Sequence, residues 1–495
     1  MPNTDLISLR KYQLIQLIAS VLMVLIWFLS NQGLLFWDDF GYLNLANQIN
    51  QGDFQITTNH FTSRIALTYP VSWAISAFGV SPHSIVVFHL VYYLVLLNLA
   101  FWLGQKTSLW TGLIAGVLIL CDYNLIFFGN HLFPEMPLTL CIFLFLTSYY
   151  LLLRNEIVPR IAAFIGALAL FAAFLLKTTV ILLLPLILFL FINDRRQKRN
   201  RAFWIVFIFL SLFFFVLNGL WYEEVKGNFF FRFENIADNH VATPKTFFDK
   251  GGLEILKRLT YLPLLGFLKG GFFIPLLLAL PSLLSLKRSN FKLDQPEKIW
   301  PVAASFLLVS FWFMSTSWRF YSPIPTENRH IVFFIPVLIM SAATYWPKMS
   351  LFEWMSKNHV MKVALVGLML IPGYAIFKSG DNNFKQMSSL IKSELVDNES
   401  AQLVITDGRT SYGYAYYYDL KPVEDMYLWF SEVETFEILN SFDESAYLLI
   451  NPANFNEDYN DTENYNKLIE QLQISNINIG LLKKEGDVEF YLLTK

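Results

Sequence analysis

The chain opens its apolar part with LIQLIASVLMVLIWFLSNQGLL, residues 14–35, and continues directly into FWDDFGY, residues 36–42. A helix that spans a bilayer needs about 20 mostly apolar residues, and residues 14–35 contain no Asp, Glu, Lys or Arg. The run is too long for the apolar region of a secretory signal peptide, and no small-residue cleavage site separates it from Trp37. It therefore predicts a retained first membrane helix over residues 14–36.

Apolar runs of the same kind recur along the chain. The further candidate spans are 85–103, 109–128, 136–153, 161–176, 178–192, 204–221, 261–286, 300–318, 331–346 and 360–377. The two runs that meet at Lys177 predict either two helices or one interrupted hydrophobic hairpin. Apolar residues make up 55% of the chain and charged residues 15%, against about 45–50% and about 25% in average globular proteins. The sequence thus predicts a polytopic all-α membrane domain of about eleven transmembrane helices.

The loops between the spans alternate in Lys and Arg content, and basic loops stay on the cytoplasmic side of a membrane. The basic residues of the alternate loops are Arg10, Lys11, Lys106, Arg154, Arg160, Arg195, Arg196, Lys198, Arg199, Arg201, Lys287, Arg288, Lys292, Lys298, Lys348 and Lys357. The intervening loop 129–135 has none, and the loop 37–84 has only Arg64. The loop 222–260 has six and is an exception, because long loops follow the rule poorly. We expect a cell inner or plasma membrane protein with a cytoplasmic N-terminus.

The last part of the chain differs in charge from the rest. Residues 378–495 hold 21 Asp and Glu against 9 Lys and Arg, whereas residues 1–377 hold 18 acidic and 28 basic residues. This asymmetry predicts a domain boundary near residue 377. Short apolar segments at 403–405, 447–450 and 490–493 predict strands, and 464–472 predicts a helix. We expect a small soluble α/β domain on the extracytoplasmic side, with no nucleic acid as a partner.

Carboxylates stand where the predicted outer loops meet the membrane. Asp38 and Asp39 follow the first span directly, and Glu135 lies between two prolines where the chain re-enters the bilayer. Ionisable groups at such positions are costly and mark functional sites by default. A solvated helix end explains Asp38 and Asp39 equally well, and Glu135 also suits the N-terminus of the next helix.

Cations are expected at the same face of the membrane. Lys177 and Lys269 lie in or between apolar runs, Arg64 lies in the first outer loop, and Arg329 directly precedes a late span. Snorkelling of the long side chain explains Lys177 as well. These four cations and the three carboxylates thus converge on one face. The cations would suit a phosphate, because guanidinium groups bind its oxygens through paired hydrogen bonds.

This arrangement resembles the membrane glycosyltransferases of the C-type fold, in the branch of the protein O-mannosyltransferases and the lipid A aminoarabinose transferases. The resemblance covers roughly residues 10–377 in helix order and loop placement. Its most specific parts are Trp37-Asp38-Asp39, Leu132-Phe133-Pro134-Glu135-Met136-Pro137-Leu138 and Leu176-Lys177-Thr178.

The resemblance implies a role for each matching position. Asp38 would be the catalytic base or acceptor-orienting carboxylate with Asp39 as its neighbour, and Glu135 the second active-site acid. Arg64, Lys177, Lys269 and Arg329 would face the donor phosphate. Contacts with the acceptor or the sugar are predicted for Tyr42, Tyr69, His131 and His330. Glu135 stands where many members have Asp, which affects the geometry of the site. Two further departures affect the donor sugar and the acceptor: Arg329-His330 stands where the family commonly has Arg-Tyr, and Arg64…Tyr69-Pro70 replaces its Lys-Pro-Pro-like stretch in the first loop.

The predicted reaction is transfer of a hexose or pentose from a polyprenyl-phosphate donor to an extracytoplasmic lipid, glycan or protein, with inversion. A carboxylate would accept the proton of the acceptor hydroxyl while cations stabilise the departing phosphate. Some relatives bind a divalent metal near the acidic pair, and the sequence leaves open whether Asp38 and Asp39 do.

Three other functions remain to be tested against this one. An envelope polysaccharide polymerase or ligase would use late outer-loop residues such as Arg319, Arg329 and His330. A transporter would show repeated halves and binding groups at the bilayer midplane, and the sequence shows no such halves. A binding module on a membrane anchor would need only one span. Cys121 and Cys141 both lie in apolar runs, which predicts small hydrophobic residues without a disulfide role.

Overall fold

The structure is a computed structural model. It describes residues 9–31, 33–34, 37–242, 252–286, 293, 295–315, 321, 323–350, 352, 360–378, 404–406, 426–428, 445–452, 464–485 and 488–494. Up to residue 378 its secondary structure is almost entirely helical. The α-helices of this part are α1 Leu9–Ser30, α2 Trp37–Gln51, α3 Ile65–Phe78, α4 Val87–Gln105, α5 Leu109–Leu120, α6 Tyr123–Gly129, α7 Glu135–Leu153, α8 Pro159–Leu176, α9 Leu184–Arg196, α10 Arg201–Lys226, α11 Phe231–Ala242, α12 Gly252–Leu259, α13 Leu262–Lys269, α14 Phe273–Ser285, α15 Ile299–Phe313, α16 Ile335–Tyr345 and α17 Val360–Lys378.

Short 3₁₀ segments connect several of these helices. They are His60–Ser63, Ser84–Val86, Thr178–Leu183, Pro296–Lys298, Asn328–His330, Val332–Phe334 and Trp346–Lys348. Several of them are continuous with an α-helix. In particular, Ser84–Val86 leads directly into α4 and Thr178–Leu183 leads directly into α9, which lengthens both helical segments.

Among the described residues, six continuous helical segments are long and apolar enough to cross a membrane, by length and composition. These segments are Leu9–Ser30, Ser84–Gln105, Glu135–Leu153, Pro159–Leu176, Thr178–Arg196 and Arg201–Lys226. The pair α5 and α6 makes a seventh if it counts as one span bent by 58°. The chain is a multi-pass membrane protein, which confirms the predicted polytopic helical domain. The number of eleven spans is not confirmed by the described residues, which also include the shorter apolar helical segments Ile65–Phe78, Phe273–Ser285, Val332–Lys348 and Gly367–Lys378. The runs on either side of Lys177 are two separate segments.

Three apolar runs differ from the single straight helices that the sequence predicts. The run 261–286 is two helices, because α13 ends at Lys269 and Gly271 adopts a positive φ of 75°, a conformation that glycine enters without steric cost. The run 300–318 is helical only to Phe313, since Met314 is already extended, and residues 316–320 lie outside the described residues. The run 331–346 begins as a 3₁₀ turn before α16.

The loop 37–84, which the sequence predicts to be the first outer loop, is largely helical. Most of it forms α2 and α3, which pack against each other. The Asp38 and Asp39 side chains lie in the first turn of α2, where negative charge is stabilised by the helix dipole. Asn59 caps the short turn His60–Ser63 by accepting a hydrogen bond from the Phe61 N–H. This turn delivers Arg64 to the start of α3.

One end of the helical bundle is held together by ion pairs. Lys106, after α4, pairs with Glu156, and Arg154 pairs with both Glu156 at 2.6 Å and Glu297 at 3.2 Å. These contacts join the loops 104–108, 154–160 and 287–299, which the sequence assigns to one side of the membrane. The outer-loop residues discussed below meet at the opposite ends of α7 and α8.

The C-terminal part contains a five-stranded sheet with strand order β2-β1-β3-β5-β4. Its elements are β1 Val404–Thr406, β2 Met426–Leu428, β3 Ser445–Ile450, α18 Asn464–Ile474, β4 Asn478–Glu485 and β5 Val488–Thr494. β1 runs parallel to β2 and β3, and β5 runs antiparallel to β3 and β4. The predicted α/β class is confirmed, and the segments at 403–405, 447–450, 490–493 and 464–472 overlap β1, β3, β5 and α18. The boundary at residue 377 stays a prediction.

Candidate active site

The predicted outer-face residues come together from five separate stretches of the chain. The first turn of α2 supplies Asp38, and the 3₁₀ turn before α3 supplies Arg64. Glu135 opens α7, and Lys177 directly follows α8. The turn Asn328–His330 completes the group with Arg329 and His330.

Asp38 forms an ion pair with Arg329. Nη1 of Arg329 lies 3.0 Å from Oδ2 of Asp38, and its Nε lies 2.9 Å from Oε2 of Glu327. The side chains of Arg329 and Asp38 are 39% and 22% exposed, so this pair faces an accessible space. Burial lowers the pKa of Arg329, but the carboxylates of Glu327 and Asp38 outweigh it and raise that pKa above its ordinary value. Arg329 is therefore a permanent cation shared between two acids.

Glu135 and Lys177 form a second, much more buried pair. Nζ of Lys177 lies 2.6 Å from Oε1 of Glu135, and the two side chains are 11% and 1% exposed. The chain leaves α8 at Lys177 in an extended conformation, with φ −157° and ψ 134°. This break directs the ammonium toward the N-terminus of α7. Nζ of Lys177 also lies 3.1 Å from Nδ1 of His330, which ties the pair to the turn that carries Arg329.

Arg64 is held differently from the other cations, although the carboxylates of both pairs, Asp38 and Glu135, attract it. Its Nη1 donates to the hydroxyl of Tyr42, and its guanidinium lies 5.0 Å from the centroid of the Phe61 ring. Burial, and the neighbouring cations Arg232 and Arg329, lower the pKa of Arg64 to about 10, while Glu135 and Asp38 act in the opposite direction. It remains charged at neutral pH.

The charges of this cluster are unevenly matched. Asp38 and Glu135 each already have a cation partner. In the described part of the chain, no carboxylate forms an ion pair with Arg64 or with the nearby Arg232. Uncompensated cations in a partly dry pocket are costly, so an incoming anion would be stabilised here.

The other predicted residues lie further from these pairs. Asp39 is fully buried beside Asp38, and Tyr42 is fully buried with its hydroxyl bound to Arg64. His131 is 1% exposed and packs its ring 4.2 Å from that of Phe127. The roles of Asp39, Tyr42 and His131 in binding stay predictions.

Tyr69 and Lys269 lie on the surface of their helices. Tyr69, on α3, is 40% exposed and packs edge-on against Phe54. Lys269 is exposed at the C-terminal end of α13 and forms no ion pair with the described residues. The sequence places Lys269 inside a membrane helix, but the break at Gly271 places it at a helix end. Its contact with a phosphate stays a prediction.

The donor set does not favour a divalent metal at the acidic pair. Among the described residues, no three side chains of His, Cys, Asp or Glu come together as metal ligands do. Asp38 is instead bound by the guanidinium of Arg329, and Mg²⁺ or Mn²⁺ would need oxygen ligands in its place.

Sequence reasoning missed Glu327, Arg232 and Arg258. Glu327 accepts from Arg329, and Arg258 is fully buried with Nη2 donating to the carbonyls of Phe311 and Ile324 at 2.6 Å and 3.1 Å. The sequence feature that could have pointed to Arg232 and Arg258 is the high number of basic residues in the loop 222–260. Two of its six basic residues are buried structural arginines, which removes them from the count of solvent-exposed charges in that loop.

No protein-family model and no curated protein matches this sequence. Solved structures do match: ArnT from Cupriavidus metallidurans bound to undecaprenyl phosphate superposes with a TM-score of 0.62 and 12% sequence identity, over 96% of this chain and 97% of that chain. Its apo form superposes with a TM-score of 0.61 over the same shares. The chain has the fold of ArnT. This fold agrees with the C-type membrane glycosyltransferase fold implied by the sequence resemblance, and the match extends into the C-terminal part.

Proposed function

We propose that this protein is a membrane glycosyltransferase that moves a sugar from a polyprenyl-phosphate donor to a hydroxyl group of an acceptor outside the cytoplasm. The observation that carries the proposal is the group of two carboxylate–cation pairs, Asp38–Arg329 and Glu135–Lys177, beside Arg64, which forms no ion pair with a carboxylate of the described residues. The shared fold supports it, because one matching ArnT structure is bound to undecaprenyl phosphate.

The cations suit the phosphate of such a donor. Arg64 has no carboxylate partner among the described residues, and Arg329 is accessible, so both can bind phosphate oxygens without a buried acid losing its only partner. Lys177 adds a third positive charge from within the protein. In the transition state, the bond between the anomeric carbon and the phosphate oxygen breaks, and these cations stabilise the negative charge that develops on that oxygen.

Asp38 suits the role of the general base. Its carboxylate is partly exposed and is held by Arg329 alone among the described ion pairs. When Arg329 turns to the donor phosphate, Asp38 becomes free to accept the proton of the acceptor hydroxyl. The hydroxyl oxygen then attacks the anomeric carbon from the face opposite the leaving phosphate, which inverts the configuration and releases the polyprenyl phosphate.

Glu135 suits a supporting role better than a second proton transfer. It is 1% exposed and lies 2.6 Å from Lys177, so it keeps the ammonium charged and fixes its direction. His330 contacts the same ammonium from the other side. Glu135, which the resemblance predicts as the second active-site acid, would therefore act by positioning Lys177.

The proposal is tested by a transfer assay on the purified full-length chain in lipid nanodiscs. Undecaprenyl-phosphate carriers with radiolabelled hexoses or pentoses are supplied singly, together with extracted envelope lipids and glycans as acceptors. Movement of label to an acceptor, with inverted configuration in the product by NMR, is the expected result. Extension of an added lipid-linked glycan with no turnover of any monosaccharide carrier would favour a polymerase instead.

A further inference from the structure

We propose that Arg232 is a positioning residue that holds Arg64 and Lys177 at the spacing that binds the donor phosphate. This inference rests on the proposed function. The observation behind it is that the buried guanidinium of Arg232, on α11, donates to carbonyls near the ends of two helical segments. The residues that follow these carbonyls in the chain include Arg64 and Lys177.

The first contact fixes the turn before Arg64. Nη1 of Arg232 donates to the main-chain oxygen of Ser63, the last residue of the 3₁₀ turn His60–Ser63. Carbonyls at a helix end lack an intrahelical donor, and the guanidinium supplies one. Because Ser63 immediately precedes Arg64, this bond fixes the direction in which the Arg64 backbone leaves the turn.

The second contact fixes the end of α8. Nη2 of Arg232 lies 2.5 Å from the carbonyl oxygen of Phe174, in the last turn before Lys177, and its guanidinium lies 4.7 Å from the centroid of the Phe174 ring. A cation at a helix C-terminus is also stabilised by the helix dipole. The chain becomes extended at Lys177, so Arg232 holds the last turn of α8 at the point where the regular helix ends.

Arg232 can make both contacts at once because of the shape of its guanidinium group. Its planar fork presents two terminal nitrogens at a fixed spacing, whereas a lysine ammonium is a single point that cannot serve both carbonyls in the same way. Arg232 is 2% exposed and forms no ion pair with the described carboxylates. Burying this charge has a cost that a neutral donor would avoid. The charge nevertheless has an effect on the site, because a second cation beside Arg64 strengthens the attraction for an anion.

The test compares Arg232→Lys and Arg232→Gln with the full-length wild type in nanodiscs. The first readout is binding of undecaprenyl phosphate, followed by tryptophan fluorescence. The second readout needs no ligand and is hydrogen exchange of the peptides that cover residues 60–68 and 174–183. Arg199→Gln is the matched control, because Arg199 also donates to a carbonyl, that of Leu293 at 3.0 Å, but lies beyond the far end of α9.

We expect both Arg232 variants to weaken undecaprenyl phosphate binding by about tenfold to a hundredfold, the range for loss of a hydrogen bond to a charged group. Exchange should become faster in both peptides. Arg199→Gln should lower thermal stability without either effect. Unchanged exchange in both peptides, or wild-type binding by both Arg232 variants, would overturn the inference. Faster exchange in a protein whose wild type binds no undecaprenyl phosphate would support the positioning role and reject the proposed donor.

Discussion

The ammonium of Lys177 lies 2.6 Å from a carboxylate oxygen of Glu135, although the two residues are 42 positions apart and both are largely buried. Two different features of the backbone bring these side chains together. Glu135 is the first residue of α7, and Lys177 is the point at which α8 gives way to an extended residue. The N-terminal end of α7 and the C-terminal end of α8 are thereby joined at the centre of the site.

The buried position of this pair predicts a large cost for breaking it. Glu135→Gln or Lys177→Met alone leaves a buried charge without its partner, so each should lower the free energy of unfolding by roughly 3–5 kcal/mol. The double variant should lose less than the sum of the two. Thermal unfolding in detergent, followed by tryptophan fluorescence, gives the three values.

The half-exposed pair of Arg154 and Glu156 is the matched control for that cycle. Its atoms are also 2.6 Å apart, but the side chains are 25% and 29% exposed. Arg154→Met should therefore change the free energy of unfolding by about 1 kcal/mol or less. Equal losses for the two pairs would contradict the importance of burial.

Asp194 is expected to be essential for the stability of the turn between α9 and α10. It is fully buried, and its carboxylate accepts from Tyr149 at 2.8 Å, from Arg199 at 2.6 Å and from Trp204 at 3.0 Å. Asp194→Ala leaves these donors unsatisfied and should cost roughly 3–5 kcal/mol, seen as a lower Tm. Glu224→Ala, which truncates an exposed acid on α10, should leave the Tm within a degree or so of wild type.

The predicted sidedness can be tested with cysteines at two exposed positions. Gln55 lies in the first outer loop, and Arg195 lies near the end of α9. In a variant whose Cys121 and Cys141 are replaced by alanine, Gln55→Cys should react with an impermeant maleimide on intact cells, because basic loops stay cytoplasmic. Arg195→Cys should react only after permeabilisation. The reverse pattern would invert the assignment.

Chelation should leave the transfer activity intact. The proposed phosphate-binding charges are the side chains of Arg64, Lys177 and Arg329, and Asp38 is bound to a guanidinium. Incubation with EDTA, followed by the transfer assay in metal-free buffer, should retain most of the wild-type rate. A rate that collapses with EDTA and returns with Mg²⁺ or Mn²⁺ would show that a metal acts together with these cations.

The sequence predicts the membrane class and much of the candidate site for one physical reason. Ionisable residues at the ends of apolar runs are few, so Asp38, Glu135, Lys177 and Arg329 stand out, and alternating loops require them to share one face. The structure pairs Glu135 with Lys177 and Asp38 with Arg329, through contacts that span 42 and 291 positions. Which acid pairs with which cation depends on helix packing, and no local pattern encodes it.

Other features escape the sequence because their signals are indirect. The break at Gly271 lies inside an unbroken apolar run, and the buried roles of Arg232 and Arg258 look like ordinary loop charges. The helices α2 and α3 are too mixed or too short to register as spans. In each case the local structure depends on tertiary packing.

The most direct test of the central claim compares Asp38→Asn with Asp53→Asn in the transfer assay. Asp53 is exposed just beyond α2, so the second variant makes the same chemical change in the same loop but outside the site. A general base contributes about 10²–10⁴-fold to a rate. We predict that Asp38→Asn lowers kcat by about this factor with little change in undecaprenyl phosphate binding, while Asp53→Asn transfers sugar at the wild-type rate. Full activity of folded Asp38→Asn would contradict the proposed mechanism.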